Sequence, residues 1–166
     1  QTLLRADQAA ISDFTPFTHD QYGIRGRIRV GSETIKFEII HEGRFELSPP
    51  DKNARLAGVP TLTRHDQAVC KLLANQDRYL DDAVFSRDLL DLAFLDLKKK
   101  EFDVALSTAV AATGDTVLRD LSDAINRIKT RAGWLDRCIS ALSFYPSKAE
   151  ALQKINHLRN MVTHYN

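Results

Sequence analysis

The chain has 166 residues, 43% of them hydrophobic and 27% charged, with a formal net charge of +1. It can bury one substantial core beside a second small lobe. The near-neutral balance excludes nucleic-acid binding by bulk charge, so any polyanion has to be held by a local patch. No apolar run is long enough to span a bilayer and no secretory pattern opens the chain. Cys70 and Cys138 lack metal-ligand spacing, and the five histidines show no paired spacing. Reduced thiols in a cytoplasmic protein, with no membrane partner and no zinc site, are the expectation.

In chain order, Leu3 to Ile11 reads as the end of a helix, followed by a turn-rich stretch through Thr15-Pro16-Phe17. The segment Ile24-Arg25-Gly26-Arg27-Ile28-Arg29-Val30 alternates strictly. Its three arginines face one way, and Ile24, Ile28 and Val30 the other. Gly31-Ser32 suits a two-residue hairpin turn. The return strand Thr34-Ile35-Lys36-Phe37-Glu38-Ile39 then sets Val30 opposite Glu33, Arg27 opposite Lys36 and Arg25 opposite Glu38, so that polar and apolar faces both coincide. Gly43-Arg44-Phe45-Glu46-Leu47 reads as a third strand closed by Ser48-Pro49-Pro50, with a loop through Gly58-Val59-Pro60.

From His65 the period is helical. Helices are predicted over 65–80, 87–99, 102–112, 116–131, 134–142 and 147–163, with Ser86 as an N-cap and Lys98-Lys99-Lys100 at a helix C-terminus, where cations suit the dipole. The class is α+β: a small antiparallel sheet followed by a helical lobe. Trp134, Leu135, Ile139 and Leu142 share a helical face and read as core.

Two charge patterns stand out. Asp88 and Asp91 lie one turn apart on an otherwise apolar helix, and Lys71, Asn75 and Arg78 share a face of the helix before it. Acids on one helix beside a Lys/Asn/Arg stripe on its neighbour make either a phosphate-handling surface or an inter-helix ion-pair network. Glu38 beside Arg25 is, on its residues alone, a cross-strand ion pair. The Arg25/Arg27/Arg29 row is a solvated sheet face, or else a contact for an RNA backbone or a triphosphate.

The stretch from Tyr22 to Phe94 resembles the AbiEii/AbiGii-type nucleotidyltransferase toxins, of the polymerase-β-like superfamily. The likeness lies in Tyr22-Gly23-Ile24-Arg25, Ile35-Lys36-Phe37-Glu38-Ile39, Glu42-Gly43-Arg44-Phe45 and Val59-Pro60-Thr61-Leu62. It continues in Lys71-Leu72-Leu73-Ala74-Asn75-Gln76-Asp77-Arg78, Ser86-Arg87-Asp88-Leu89-Leu90-Asp91-Leu92 and the later Ala132-Gly133-Trp134-Leu135. Among these, the Lys…Arg-Asp-x-x-Asp block is the most specific. The resemblance implies a partial nucleotidyltransferase core over 1–62 and a C-terminal helical domain over 63–166. It gives Glu38 the third metal-binding carboxylate, Lys71 the cation near the triphosphate and Asp88 the acid anchoring the helical lobe to the site. Arg25, Arg78 and Arg87 become substrate contacts, with Asp91 in support. It further implies Mg²⁺ as cofactor, an NTP as substrate, RNA as acceptor and a separate antitoxin as partner, in a toxin–antitoxin or phage-defence setting.

The family's Gly-rich loop and Asp-x-Asp strand occur nowhere between Gln1 and Asn166. The chain is therefore expected to be the C-terminal portion of such an enzyme, or a relative that has lost catalysis, and inactive alone. A non-catalytic interaction or regulatory domain is the alternative from another class. A third reading rests on Arg159 and His164. An arginine followed after four residues by a histidine resembles the signature of HEPN-type ribonucleases, with His164 as general base and Arg159 stabilising charge on phosphorus.

Overall fold

The computed structural model describes residues 11–14, 16–52, 54–56 and 58–165. They form two compact units, one within Gln1–Glu46 and Arg55–Thr61, the other within Leu47–Ala54 and Leu62–Asn166. The expected class is observed: a small antiparallel sheet near the N-terminus followed by six α-helices.

The first unit is built on β3 (Gly23–Val30). One edge of β3 pairs along its whole length with β4 (Glu33–Ile40), and the other edge takes β1 (Ile11–Phe14) and β2 (Thr18–Asp20). The β3–β4 register is the predicted one, Val30 opposite Glu33, Arg27 opposite Lys36 and Arg25 opposite Glu38. Gly31 enters the turn at φ 60°, a conformation in which a side chain is strained. On the apolar face the Phe17 ring lies over Gly26, where an added Cβ would sit 2.4 Å from it, and meets Phe37 edge-on at 5.9 Å. A short ladder between β5 (Arg55–Leu56) and β6 (Val59–Pro60) occupies the predicted loop.

The helix predicted over 3–11 lies outside the described residues except for Ile11, which begins β1; the turn-rich stretch after it, through Thr15-Pro16-Phe17, carries the rest of β1, and β2 follows it. The predicted third strand at 43–47 is irregular, because Glu42 captures the Arg44 N–H at 3.0 Å and grips its guanidinium at 2.9 and 2.8 Å. A local side-chain bond of this kind takes the donor that a ladder would need. Farther on, the Ser48 N–H is taken at 3.0 Å by the carboxylate of Asp66, which is fully buried.

The second unit holds the hydrophobic core. In it α1 (Arg64–Arg78) packs against α2 (Arg87–Phe94), α3 (Lys99–Thr113) and α4 (Thr116–Thr130). The last two helices, α5 (Trp134–Ala141) and α6 (Lys148–Val162), close on α4, and α6 also lies along α2. Thr63 caps α1 through the Asp66 N–H and Ser147 caps α6 through the Glu150 N–H, as such residues should. Trp134 is core, as read from sequence. Among the described residues, no helix is long and apolar enough to cross a membrane.

The helix predicted over 87–99 ends at Phe94, and the one predicted from 102 begins at Lys99. Asp96 turns into the left-handed region at φ 50°, and the carbonyls freed there are claimed from outside. Arg64 Nη2 donates to Leu95 O at 2.7 Å, and His157 Nε2 to Leu97 O at 3.2 Å. Lys98-Lys99-Lys100 consequently begins α3, and does not end a helix. Cations at a helix N-terminus oppose the dipole. Glu101 answers by accepting the Lys98 N–H at 2.7 Å, and Asp103 by pairing with Lys99.

Ser143 is exposed and held at φ 48° after α5. Left-handed backbone costs a non-glycine residue about 1 kcal/mol, so Ser143→Gly is expected to raise the urea midpoint by an amount equivalent to about 0.5–1 kcal/mol.

Candidate functional site

The strongest constellation lies on α1 and α2. Asp88, only 2% exposed, receives Arg78 as a fork, Nε to Oδ2 at 2.7 Å and Nη2 to Oδ1 at 2.9 Å. Lys71 Nζ reaches Asp88 Oδ1 at 3.4 Å and Asp91 Oδ2 at 2.6 Å. The i, i+7 spacing on α1 thus sets both cations against the one-turn acid pair on α2. Burial alone would push the Asp88 carboxyl up; the Arg78 fork, its charge and Lys71 outweigh this and hold it below the ordinary range. The hydrogen bond to Asp88 in turn raises Arg78. Asn75, on the same α1 face, is buried, and its Nδ2 has no hydrogen-bond partner among the described residues. Arg87 is exposed.

Lys71 and Asp91 also line a cleft of about 340 Å³ with Leu62, Gln67, Cys70 and Phe94. The cleft is largely apolar, with one ion pair at its side.

Arg25 and Glu38 belong to the sheet unit and form a chain of charges on its polar face. Asp20 accepts the Tyr22 and Gly23 N–H groups at 2.8 and 3.1 Å and holds Arg25 Nη1 at 2.9 Å. Arg25 Nε stands 3.6 Å from Glu38 Oε1, and Lys36 Nζ 2.8 Å from Glu38 Oε2. Each oxygen of Glu38 therefore faces a cation. Magnesium requires several oxygen ligands in near-octahedral array, and among the described residues no three His, Cys, Asp or Glu side chains are grouped to hold a metal. The surroundings of Glu38 in this chain do not fit a magnesium ion.

Arg159, on α6, and His164, on the 3₁₀ turn after it, are both exposed and have different neighbours. Arg159 lies near Lys129, and His164 near Asp103, whose carboxylate also takes the Tyr165 hydroxyl. No hydrogen bond joins the two.

Sequence reading missed a cluster around Asp82. This carboxylate accepts Arg131 Nη1 and Nη2 at 2.7 and 2.8 Å and Arg127 Nη2 at 2.6 Å, which together hold it far below the usual range. The Arg131 guanidinium stacks 4.1 Å from the Trp134 ring, which is in turn parallel to Phe85. The i, i+4 spacing of Arg127 and Arg131 was the available signal. A cleft of about 520 Å³, with Arg64, His65, Lys98, Lys100 and Glu101 around Ala68, Leu97 and Val104, was also missed, because its rim is assembled from α1, α3 and the turn that precedes α3.

Arg78→Ala strips the buried Asp88 carboxylate of its fork and is expected to cost about 3 kcal/mol, whereas Lys71→Ala, which leaves the fork intact, costs about 1 kcal/mol; urea unfolding reads both. The Asp88 pKa is lower folded than unfolded, so its contribution is fully present above about pH 4 and is lost as pH falls through the folded value. Asp88→Asn is therefore expected to lower stability at neutral pH and to flatten the acid limb of the stability profile.

No family model, no characterised protein and no solved structure matches the chain.

Proposed function

We propose that this chain is the C-terminal portion of an AbiEii-like nucleotidyltransferase, and that it supplies scaffold and anion contacts, leaving the chemistry to carboxylates it does not contain. The whole enzyme would move a nucleotide from an NTP to an acceptor such as RNA, with magnesium held elsewhere and an antitoxin as its partner. The observation that carries this reading is the Lys71–Asp88–Arg78–Asp91 network. The most specific block of the resemblance closes on itself across two packed helices, as an anchor for a lobe would, and leaves no acid or base disengaged for catalysis.

The polar face of the hairpin is the part suited to a substrate. Arg25, Arg27 and Arg29 project on one side of β3, and Arg29 stands exposed opposite Thr34. Phosphate oxygens are met by such rows without sequence preference.

The second reading, a non-catalytic interaction domain, draws on the same closed network and on the cations that occupy Glu38. Calorimetry of the chain with NTP and magnesium separates the two. The transferase lineage predicts weak NTP binding, reduced about tenfold in Arg29→Ala on the hairpin's polar face, and no transfer of labelled nucleotide to RNA by this chain alone. Absence of any NTP binding by the unsubstituted chain would leave the interaction domain standing.

A further inference from the structure

Among the described residues, the outer edge of β4 is an open template. All eight residues of β4 are exposed, their register with β3 runs without a bulge, and no proline interrupts them. Among the described residues β4 pairs with β3 alone. Edge strands of this length are normally blunted by a bulge, a proline, a covering element or charged side chains, and among the described residues β4 has only the charges, Glu33, Lys36 and Glu38.

The hairpin determines which backbone groups face that edge. In a two-residue hairpin the pair flanking the turn, Val30–Glu33, is hydrogen-bonded, and the alternation then makes Ile28–Ile35, Gly26–Phe37 and Ile24–Ile39 the inward pairs. The bond from His41 N–H to Tyr22 O, 2.9 Å, continues the same alternation past the strand end. The N–H and C=O groups of Thr34, Lys36, Glu38 and Ile40 consequently point away from β3.

We propose that this edge docks a second copy of the chain, antiparallel and related by a two-fold axis at Phe37, so that one sheet runs through both copies. This stands apart from the nucleotidyltransferase reading. About Phe37, Lys36 of each copy lies opposite Glu38 of the other, Ile35 opposite Ile39, and Thr34 opposite Ile40. Every outward-facing residue then meets another outward-facing residue, and the ladder closes over the length of the strand. Opposite charges meet twice on the polar face, while Phe37 meets Phe37 among isoleucines on the apolar face. Moving the axis to Lys36 or Glu38 sets like charges directly opposite, which destabilises. Moving it by half a residue pairs outward groups with inward ones and forms no ladder. The sequence of β4 thus selects a single full-length register with itself. The exposed Ile35, Phe37 and Ile39 (51%, 38% and 53%) are the residues that gain neighbours from it.

Sedimentation equilibrium of the 166-residue chain tests this. A concentration-dependent dimer is expected, and a monomer at every concentration up to about 100 µM, some two decades weaker than a 1 µM complex, would overturn the proposal. Lys36→Glu is expected to weaken the dimer about tenfold by facing Glu with Glu twice, and adding Glu38→Lys to restore it. An unchanged dimer in Lys36→Glu would refute the register. Should charge reversal disturb the hairpin, a cysteine pair reads the register independently. On mild oxidation Phe37→Cys should give a covalent dimer, its thiols facing each other across a close, non-hydrogen-bonded pair, whereas Ile35→Cys, which faces Ile39, should not. Equal yields from the two variants would overturn the proposal.

Discussion

A carboxylate with almost no exposure has to be matched, and matching Asp88 determines how the helical unit goes together. Its partners Lys71 and Arg78 both come from α1, so a slide of α2 along α1 by one turn would leave a bare charge in the interior, at a cost of several kcal/mol. Leu89, Leu90, Leu92 and Ala93 could pack against other apolar surfaces with modest loss; Asp88 could not. With α1 and α2 locked, α3 and α4 complete the surroundings of α1, and α6 those of α2. The charges within this apolar stretch specify one arrangement among several that burial alone would allow.

The two units are held by different physics. In the helical unit, Phe102, Leu121, Ile125, Ile155 and their neighbours are removed from water, and burial at about 25 cal/mol per Å² dominates. In the sheet unit Ile24, Ile35, Ile39 and Ile40 stay exposed. Its order comes instead from ladder hydrogen bonds, from Phe17 over Gly26, and from the relay Asp20–Arg25–Glu38–Lys36. Exposed ion pairs contribute little each, which places this unit nearer the edge of stability and makes its uncovered apolar residues costly to leave as they are.

Much of this was legible in the sequence wherever one period governed a whole element. The β3–β4 alternation gave both strands, the turn and the register, because a slip by one residue would have reversed every side chain. Lys71, Arg78, Asp88 and Asp91 were legible as a cluster because helical spacing puts them on facing stripes. What could not be read was set by partners distant in the chain. The break after α2 depends on Arg64 and His157 taking carbonyls at Leu95 and Leu97, and without it Lys98-Lys99-Lys100 looks like a helix end. The lost strand at 43–47 turned on a local bond, Glu42 to Arg44, that competes with a ladder. For the candidate site, spacing brought the acids and cations together correctly, but whether a charge is spent on a neighbour or left for a ligand is a matter of ångströms that no spacing contains.

Phe85 and Ser86 both sit in the left-handed region, at φ 50° and 51°, immediately before α2. Neither is a residue that adopts this conformation readily, and the Ser86 hydroxyl does not cap the helix it precedes. It accepts the Trp134 Nε1–H at 2.9 Å from 48 positions away, while Phe85 stacks on the same indole. The corner ahead of Asp88 is therefore uphill for its own sequence and is secured only when α5 has arrived. Helix α2 cannot be finished as a local event: its first turn, and with it the seat of Asp88, is slaved to a contact of long sequence separation. Such coupling slows folding and makes the unit close as a whole, so that loosening α5 would reach the acid through the backbone without touching either of its cations.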